Sequence, residues 1–452
     1  MKPSLIKGDV EKTLIRLAGP MVLGMLGLII FNLVDTYFVS KLGTNQLAAL
    51  SFTFPIVLVV NSIALGIGQG TASVVSRAAG SGDHERLTRY ATDSLTLGVM
   101  VVLVFVLIGL ATIEPLFKAL GATDLVMPYI KDYMRIWYLG VLFVVIPMVG
   151  NNSIRALGDT RTPSFVMLLA AIANSILDPI FIFGWGFIPA MGVRGAAIAT
   201  VFSRCITFSV ALYILIVRER IVSLKPVSLS ARVQSWKDIL YIGIPNALTK
   251  IIQPFGIAVI TRLLASEGLF AVAGYGVASK VERFALIFIM ALAIVMTPFA
   301  GQNYGAGHLD RVKKGIRSSI KISLISSVAV YAVLLIFGRS IGQIYSTNDQ
   351  VVDVLVLYLQ IVPLVYGVQG IMLIVISVLN AVNKPIDAAL ISVTQMFIIY
   401  IPLAFIGRNL IGISGIFGAL GVSYIVSSAI GICVLNSWIK TEEMGEGRTN
   451  VK

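Results

Sequence analysis

Two carboxylates lie well inside apolar segments, and of all the side chains in this sequence they are the best placed to do chemistry. Asp35 sits in Asn32-Leu-Val-Asp35-Thr36, and Asp178 sits in Asn174-Ser-Ile-Leu-Asp178-Pro179. A charge inside a membrane segment is costly and is retained mainly where it functions. Read as helices, the spacing puts Asn32, Asp35 and Thr36 on one face and Asn174 and Asp178 on another. Pro179 has no N–H to give the carbonyl of Ser175, so that oxygen is left free beside the carboxylate. A carboxylate, an amide and a free carbonyl on one helix suit a proton or a small cation. The competing reading is that both acids lie near the outer ends of their helices and simply touch water.

The second half of the chain offers a different polar stripe. Asn246, Lys250 and Gln253 recur at i, i+4 and i+7, followed by Pro254. Lys250 either lines a central cavity or snorkels to the membrane surface. Lys280, Glu282 and Arg283 are expected to pair locally. Gly66-Ile-Gly68-Gln-Gly70 lies within an apolar run and reads as close helix packing, not as a phosphate loop. Cys205 and Cys433 both fall in apolar runs and read as buried hydrophobes. No HExxH, GxSxG or Walker pattern is present. An enzyme is therefore not expected, nor is a bound cofactor, and any transport must draw on an ion gradient.

The elements that must position these groups follow from composition. Of 452 residues, 57% are hydrophobic and 13% charged, with a mean hydropathy of +0.92. Soluble domains carry about 25% charge, so the expected fold class is all-α and polytopic in a membrane. Continuous rather than alternating apolar runs favour helices over a β-barrel. Twelve runs are legible, near 14–39, 50–76, 91–113, 126–154, 163–185, 192–217, 238–264, 270–300, 318–340, 351–381, 384–406 and 412–438. The net charge of +13 sits in short gaps between runs, so nucleic acid is not an expected partner and the lipid bilayer is. Lys and Arg concentrate in alternate gaps, as in Arg218, Arg220, Lys225, Arg232 and Lys237. That bias places both termini in the cytoplasm and the protein in the inner membrane.

The chain also repeats itself. Shifted by 225 residues, Pro20 meets Pro245, Gly43 meets Gly268, Arg86 meets Arg311, Tyr133 meets Tyr358 and Ala156 meets Ala381. The expected organisation is a first lobe over 1–217, a linker over 218–237, a second lobe over 238–440 and a tail over 441–452. Parallel six-helix halves imply a pseudo-two-fold axis along the membrane normal, as in transporters. Asp35 aligns with Ile260, so the acids belong to the first half alone, and ion coupling is expected there.

With these motifs in hand, the sequence resembles the multidrug and toxic compound extrusion (MATE) transporters. The resemblance rests on Asn32-Leu-Val-Asp35-Thr36 with Leu42-Gly43, on Arg155-Ala-Leu-Gly-Asp159 with Pro163, and on Asn174 with Asp178-Pro179. Gly192-Val-Arg-Gly195 through Thr200 and Gly301-Gln-Asn-Tyr-Gly305-Ala-Gly307 extend it over the whole chain. It implies two pseudo-symmetric lobes around a V-shaped central cavity and export of amphiphilic cations against inward H+ or Na+. The two-acid pattern is similar to the DinF-like and archaeal branch. That likeness implies a cation site of Asp35, Asn174, Asp178 and Thr200, with Tyr133 and Asn151 as neighbours in the fourth run. Acids are missing from the cores of the seventh and tenth runs, unlike the NorM-like branch.

The expected mechanism follows. Desolvation and mutual repulsion at the two carboxylates favour uptake of H+, or of Na+ held by Asp35, Asn174 and Asp178. Neutralising Asp35 lets the first helix bend, with Pro20, Gly24 and Gly27 as soft points and Pro179 as a break in the fifth. A monomer is expected. A lipid-linked oligosaccharide flippase is the alternative, but its pyrophosphate needs a cationic cavity, and Arg135, Arg204, Lys250 and Lys280 are few.

Overall fold

The computed structural model describes residues 5–223, 225 and 227–449. Long Leu-, Val- and Ala-rich runs close their backbone hydrogen bonds within the segment, as a membrane interior requires, save where an internal proline such as Pro179 withholds its N–H. In the first half the helices are α1 (Val10–Ser40), α2 (Thr44–Ser81), α3 (His84–Ala119), α4 (Met127–Gly140), α5 (Leu142–Ala156), α6 (Arg161–Phe183) and α7 (Val193–Tyr213). In the second half they are α8 (Leu229–Ala265), α9 (Leu269–Ala285), α10 (Ile287–Gly305), α11 (Leu309–Tyr345), α12 (Asp349–Ile361), α13 (Tyr366–Ala381), α14 (Pro385–Val393), α15 (Ile401–Ile411) and α16 (Ile413–Thr449). Among the described residues there is no strand, only an isolated bridge between Trp185 and Ile188.

Among the described residues, eleven spans are long and apolar enough to cross a membrane. The pair α4 and α5, bent by 42°, makes a twelfth if counted as one. The expected all-α, twelve-span class is therefore the observed one. The bend falls at Val141, within the run that carries Tyr133 and Asn151.

The repeat is visible in backbone conformation as well as in sequence. Gly43 and Gly268 precede α2 and α9 with φ of 127° and 126°. Gly82 and Gly307 leave the next spans at 75° and 73°. Gly158 at 93° is matched by Asn383 at 66°, where asparagine takes the left-handed turn at modest cost. All three pairs are 225 residues apart. Gly192 and Gly412, at 56° and 63°, are 220 apart, so the register slips before the last helix of each half.

The chain divides into two compact units, one holding Gly19–Ala247 and the other Leu5–Ala18 with the residues from Leu248 onward. The division falls inside α1, next to Pro20, and inside α8, two residues past Pro245, its repeat counterpart. Within the first unit, the start of α8 is bound to α3. Tyr90 donates to Asp238 at 2.6 Å, and the Trp236 indole donates to the Asp93 carbonyl at 3.0 Å. Within the second unit, the start of α1 is bound to α11 through Lys321 and Glu11 at 3.3 Å. Buried Gln302 and Asn303 grip Leu5, accepting from its N–H and donating to its carbonyl, each at 3.2 Å. Each unit has its own apolar core, around Tyr138 and Phe117 in one and Tyr358 and Phe417 in the other.

Candidate functional site: a carboxylate pair in the first unit

Small residues set the geometry of the first unit. A Cβ on Gly24 would lie 3.0 Å from the Ser164 backbone, and one on Gly27 would lie 3.3 Å from the Leu168 backbone. The helix α1 therefore rides directly on α6, and rising numbers on one meet rising numbers on the other. The two helices run in the same direction, so Asp35, two turns beyond Gly27, comes level with the stretch of α6 that ends at Asp178. Gly24 and Gly27, read from sequence as soft points, are thus also the contact through which α1 and α6 hold register.

Asn174 and Asp178 are both fully buried, and Asn174 Nδ2 donates to Asp178 Oδ1 at 3.0 Å. Asp178 Oδ2, Asn174 Oδ1 and Asp35 Oδ1 are buried without a hydrogen-bond partner. Buried polar atoms are rarely left unsatisfied, and each exception calls for a reason. The charges of Asp35 and Asp178 act on one another, and both act on the buried hydroxyl of Tyr133 in α4. Thr200, nine-tenths buried, lies on α7 alongside α6. Asn151 is also buried, with Oδ1 unpartnered, on α5.

A third charged group joins the cluster. Arg204 lies one turn beyond Thr200 on α7, so the two share a face. Its guanidinium sits 4.7 Å from the centroid of the Phe31 ring, and Phe31 is one turn before Asp35 on α1. Its charge acts on Asp35 and Tyr133. From sequence, Arg204 stands only among a few buried cations. The signal that would have placed it was a lone arginine in the middle of the apolar run 192–217, four residues after Thr200.

Other expected residues stay outside the cluster. Asn32 and Thr36 are exposed, and each bonds to its own helix, Asn32 to the Leu28 carbonyl at 2.9 Å and Thr36 to the Asn32 carbonyl at 2.8 Å. On α8, Asn246 donates to the Ile242 carbonyl at 2.8 Å, while Lys250 and Gln253 are exposed. Glu282 is held differently from expectation: its Oε2 accepts from the Tyr358 hydroxyl at 2.6 Å. Among the described residues no group of three or more His, Cys, Asp or Glu is arranged to hold a metal.

This architecture is shared. A protein of Shewanella oneidensis described as an FAD transporter is 36% identical over 93% of each chain. The multidrug export protein MepA of Staphylococcus haemolyticus is 26% identical over 95% of this chain and 94% of its own. The Vibrio cholerae MATE transporter VcmN in its bent form superposes with a TM-score of 0.91 at 29% identity, over 96% of this chain and 98% of that one. The MatE family model matches twice, at residues 20–180 and again at 245–406, once for each half of the repeat. The chain belongs to the MATE family of multi-pass membrane transporters.

Proposed function

We propose that this protein exports amphiphilic small molecules across the inner membrane by alternating access, driven by inward flow of protons, with both termini in the cytoplasm. The observation that carries this reading is the Asp35–Asp178 pair, whose buried oxygens lack partners and are open to a proton. The lysine and arginine bias between spans supports the orientation. Protonation of Asp35 removes its repulsion with Asp178 and frees α1 to bend at Pro20, and α6 carries its own break at Pro179. Cation and cargo need only favour different conformations. Na+ held by Asp35, Asn174 and Asp178 is the competing coupling ion.

Amphiphilic cations are the proposed cargo, supported by relatives described as multidrug export proteins. A second cargo, the anionic flavin dinucleotide, is favoured by the 36% identity to a protein described as an FAD transporter. Uptake into inside-out vesicles separates these readings, with ethidium and FAD as probes and a pH jump or a Na+ jump as drive. Ethidium uptake on the pH jump, lost in Asp35→Asn, is the expected result. Movement of FAD alone transfers the function to nucleotide export. Movement of neither probe under either gradient favours the lipid-linked oligosaccharide flippase.

A further inference from the structure

We propose that Arg204 is the resident counter-ion of the Asp35–Asp178 pair, and that its fixed charge makes this a site for a single proton and excludes Na+. The proposal rests on the coupling role assigned to the pair above and adds the residue that sets its ion selectivity.

The charge balance is simple. Asp35 on α1 and Asp178 on α6 carry at most two negative charges, and Tyr133 on α4 is neutral. Arg204 on α7 supplies one positive charge that it does not surrender, since guanidinium is not deprotonated in proteins. Arg135, the one arginine on α4, is exposed. The fully ionised cluster thus carries one net negative charge, and one proton cancels it. One O–H bond forms at a carboxylate oxygen as one breaks in a hydronium ion from the aqueous side, which leaves as water.

Sodium meets a different situation. To sit among Asp35, Asn174 and Asp178 it must lie beside a guanidinium in surroundings with little water to screen the repulsion. A proton avoids that penalty by joining one oxygen covalently. The position of Arg204 is built rather than incidental. The Phe31 ring holds the guanidinium at 4.7 Å, an arrangement that stabilises a partly desolvated cation. Phe31 is one turn from Asp35, so the same helix presents the acid and the platform for its counter-ion. Arg204 Nε is buried and has no hydrogen-bond partner. Among the described residues no ion pair within 4.0 Å involves Arg204. The cation acts on Asp35 without forming an ion pair with it, which leaves the unpartnered Asp35 and Asp178 oxygens available to a proton.

The test is radioactive sodium binding to the purified full-length protein in detergent, so that no assumption about cargo enters. Wild type, Asp35→Asn, Arg204→Gln, Arg204→Lys and the double variant Asp35→Asn/Arg204→Gln are compared. Wild type is expected to bind no sodium through this site. Arg204→Gln is expected to gain at least about tenfold in sodium affinity, and the double variant to lose that gain. Arg204→Lys, which keeps the charge, is expected to behave as wild type. Sodium binding by wild type that disappears in Asp35→Asn overturns the proposal while leaving the coupling role intact. A well-folded Arg204→Gln that remains blind to sodium also overturns it. Unchanged pH-driven ethidium efflux in Asp35→Asn overturns the underlying coupling role instead. If Arg204→Gln does not fold, wild type against Asp35→Asn still decides between exclusion and binding.

Discussion

Asp178 in the first half and Glu282 in the second are both carboxylates carried on apolar helices, yet they are satisfied in different ways. Asp178 is fully buried and accepts one bond from Asn174, and its second oxygen has no partner. Across from it, Asp35 also keeps a buried oxygen free. Glu282 is half-buried and accepts from Tyr358 at 2.6 Å, and neither of its oxygens is left buried and unpartnered. Tyr275 and Phe417 pack around Tyr358, with ring centroids 6.0 Å and 4.9 Å from it. The hydroxyls of Tyr366 and Tyr400 are buried without partners, but a neutral hydroxyl in that state costs far less than a carboxylate. The lesson is that duplication fixed the scaffold and left the acids to diverge. One half leaves carboxylate oxygens without partners, and the other uses its carboxylate to tie α9 to α12.

The comparison can be broken or sharpened by experiment. The largest effect is expected at the unsatisfied acids. Asp35→Asn should lower pH-driven efflux at least about a hundredfold, roughly 3 kcal/mol of lost driving interaction, read as initial uptake rate in inside-out vesicles. Glu282→Gln should stay within about threefold of wild type in the same assay, a change below ~1 kcal/mol. Equal losses at the two positions would erase the distinction between the halves.

Next in size is the seam that sets the register of the pair. Gly24→Val places a branched side chain against Ser164 and should cost about 1–3 kcal/mol of stability, with efflux falling alongside. Thermal melting in detergent checks the first effect and vesicle uptake the second. A comparable cost is expected in the other half from Tyr358→Phe, which strips Glu282 of its donor and should cost about 1–3 kcal/mol. Its efflux rate should change little.

The smallest effect lies outside the spans. Asp159 accepts from the Thr162 N–H at 3.0 Å and from Arg218 at 2.5 Å. Burial opposes its ionisation, but the Thr162 bonds and the Arg218 charge outweigh that and hold the carboxyl below its ordinary value. A lowered folded value means the contribution is present above the unfolded value and is lost as pH falls through the folded one. The acid limb of the melting curve should therefore flatten in Asp159→Asn, with little change near neutrality. An unchanged acid limb would show that the Asp159 bonds to Thr162 and Arg218 contribute nothing measurable.

Much of this molecule is determined by sequence alone. The twelve spans follow from hydropathy because a membrane forces each apolar run to close its own hydrogen bonds. The repeat follows from a constant offset, and the left-handed turns at Gly43, Gly82 and Gly158 recur at Gly268, Gly307 and Asn383 because each half must turn at the same places. Asp35 and Asp178 stood out because charge inside an apolar run is rare. What only tertiary structure decided is which neighbours face which acid. Helical spacing put Asn32 and Thr36 on a face with Asp35, but both are exposed and bond to their own backbone. Spacing along one helix says nothing of the helix it packs against. Arg204 is 169 positions from Asp35 in the chain, and it enters the cluster through the packing of α7 beside α6 and the ring of Phe31. Glu282 shows the same limit, since its partner was not the adjacent Arg283 but Tyr358, brought to it across the bundle.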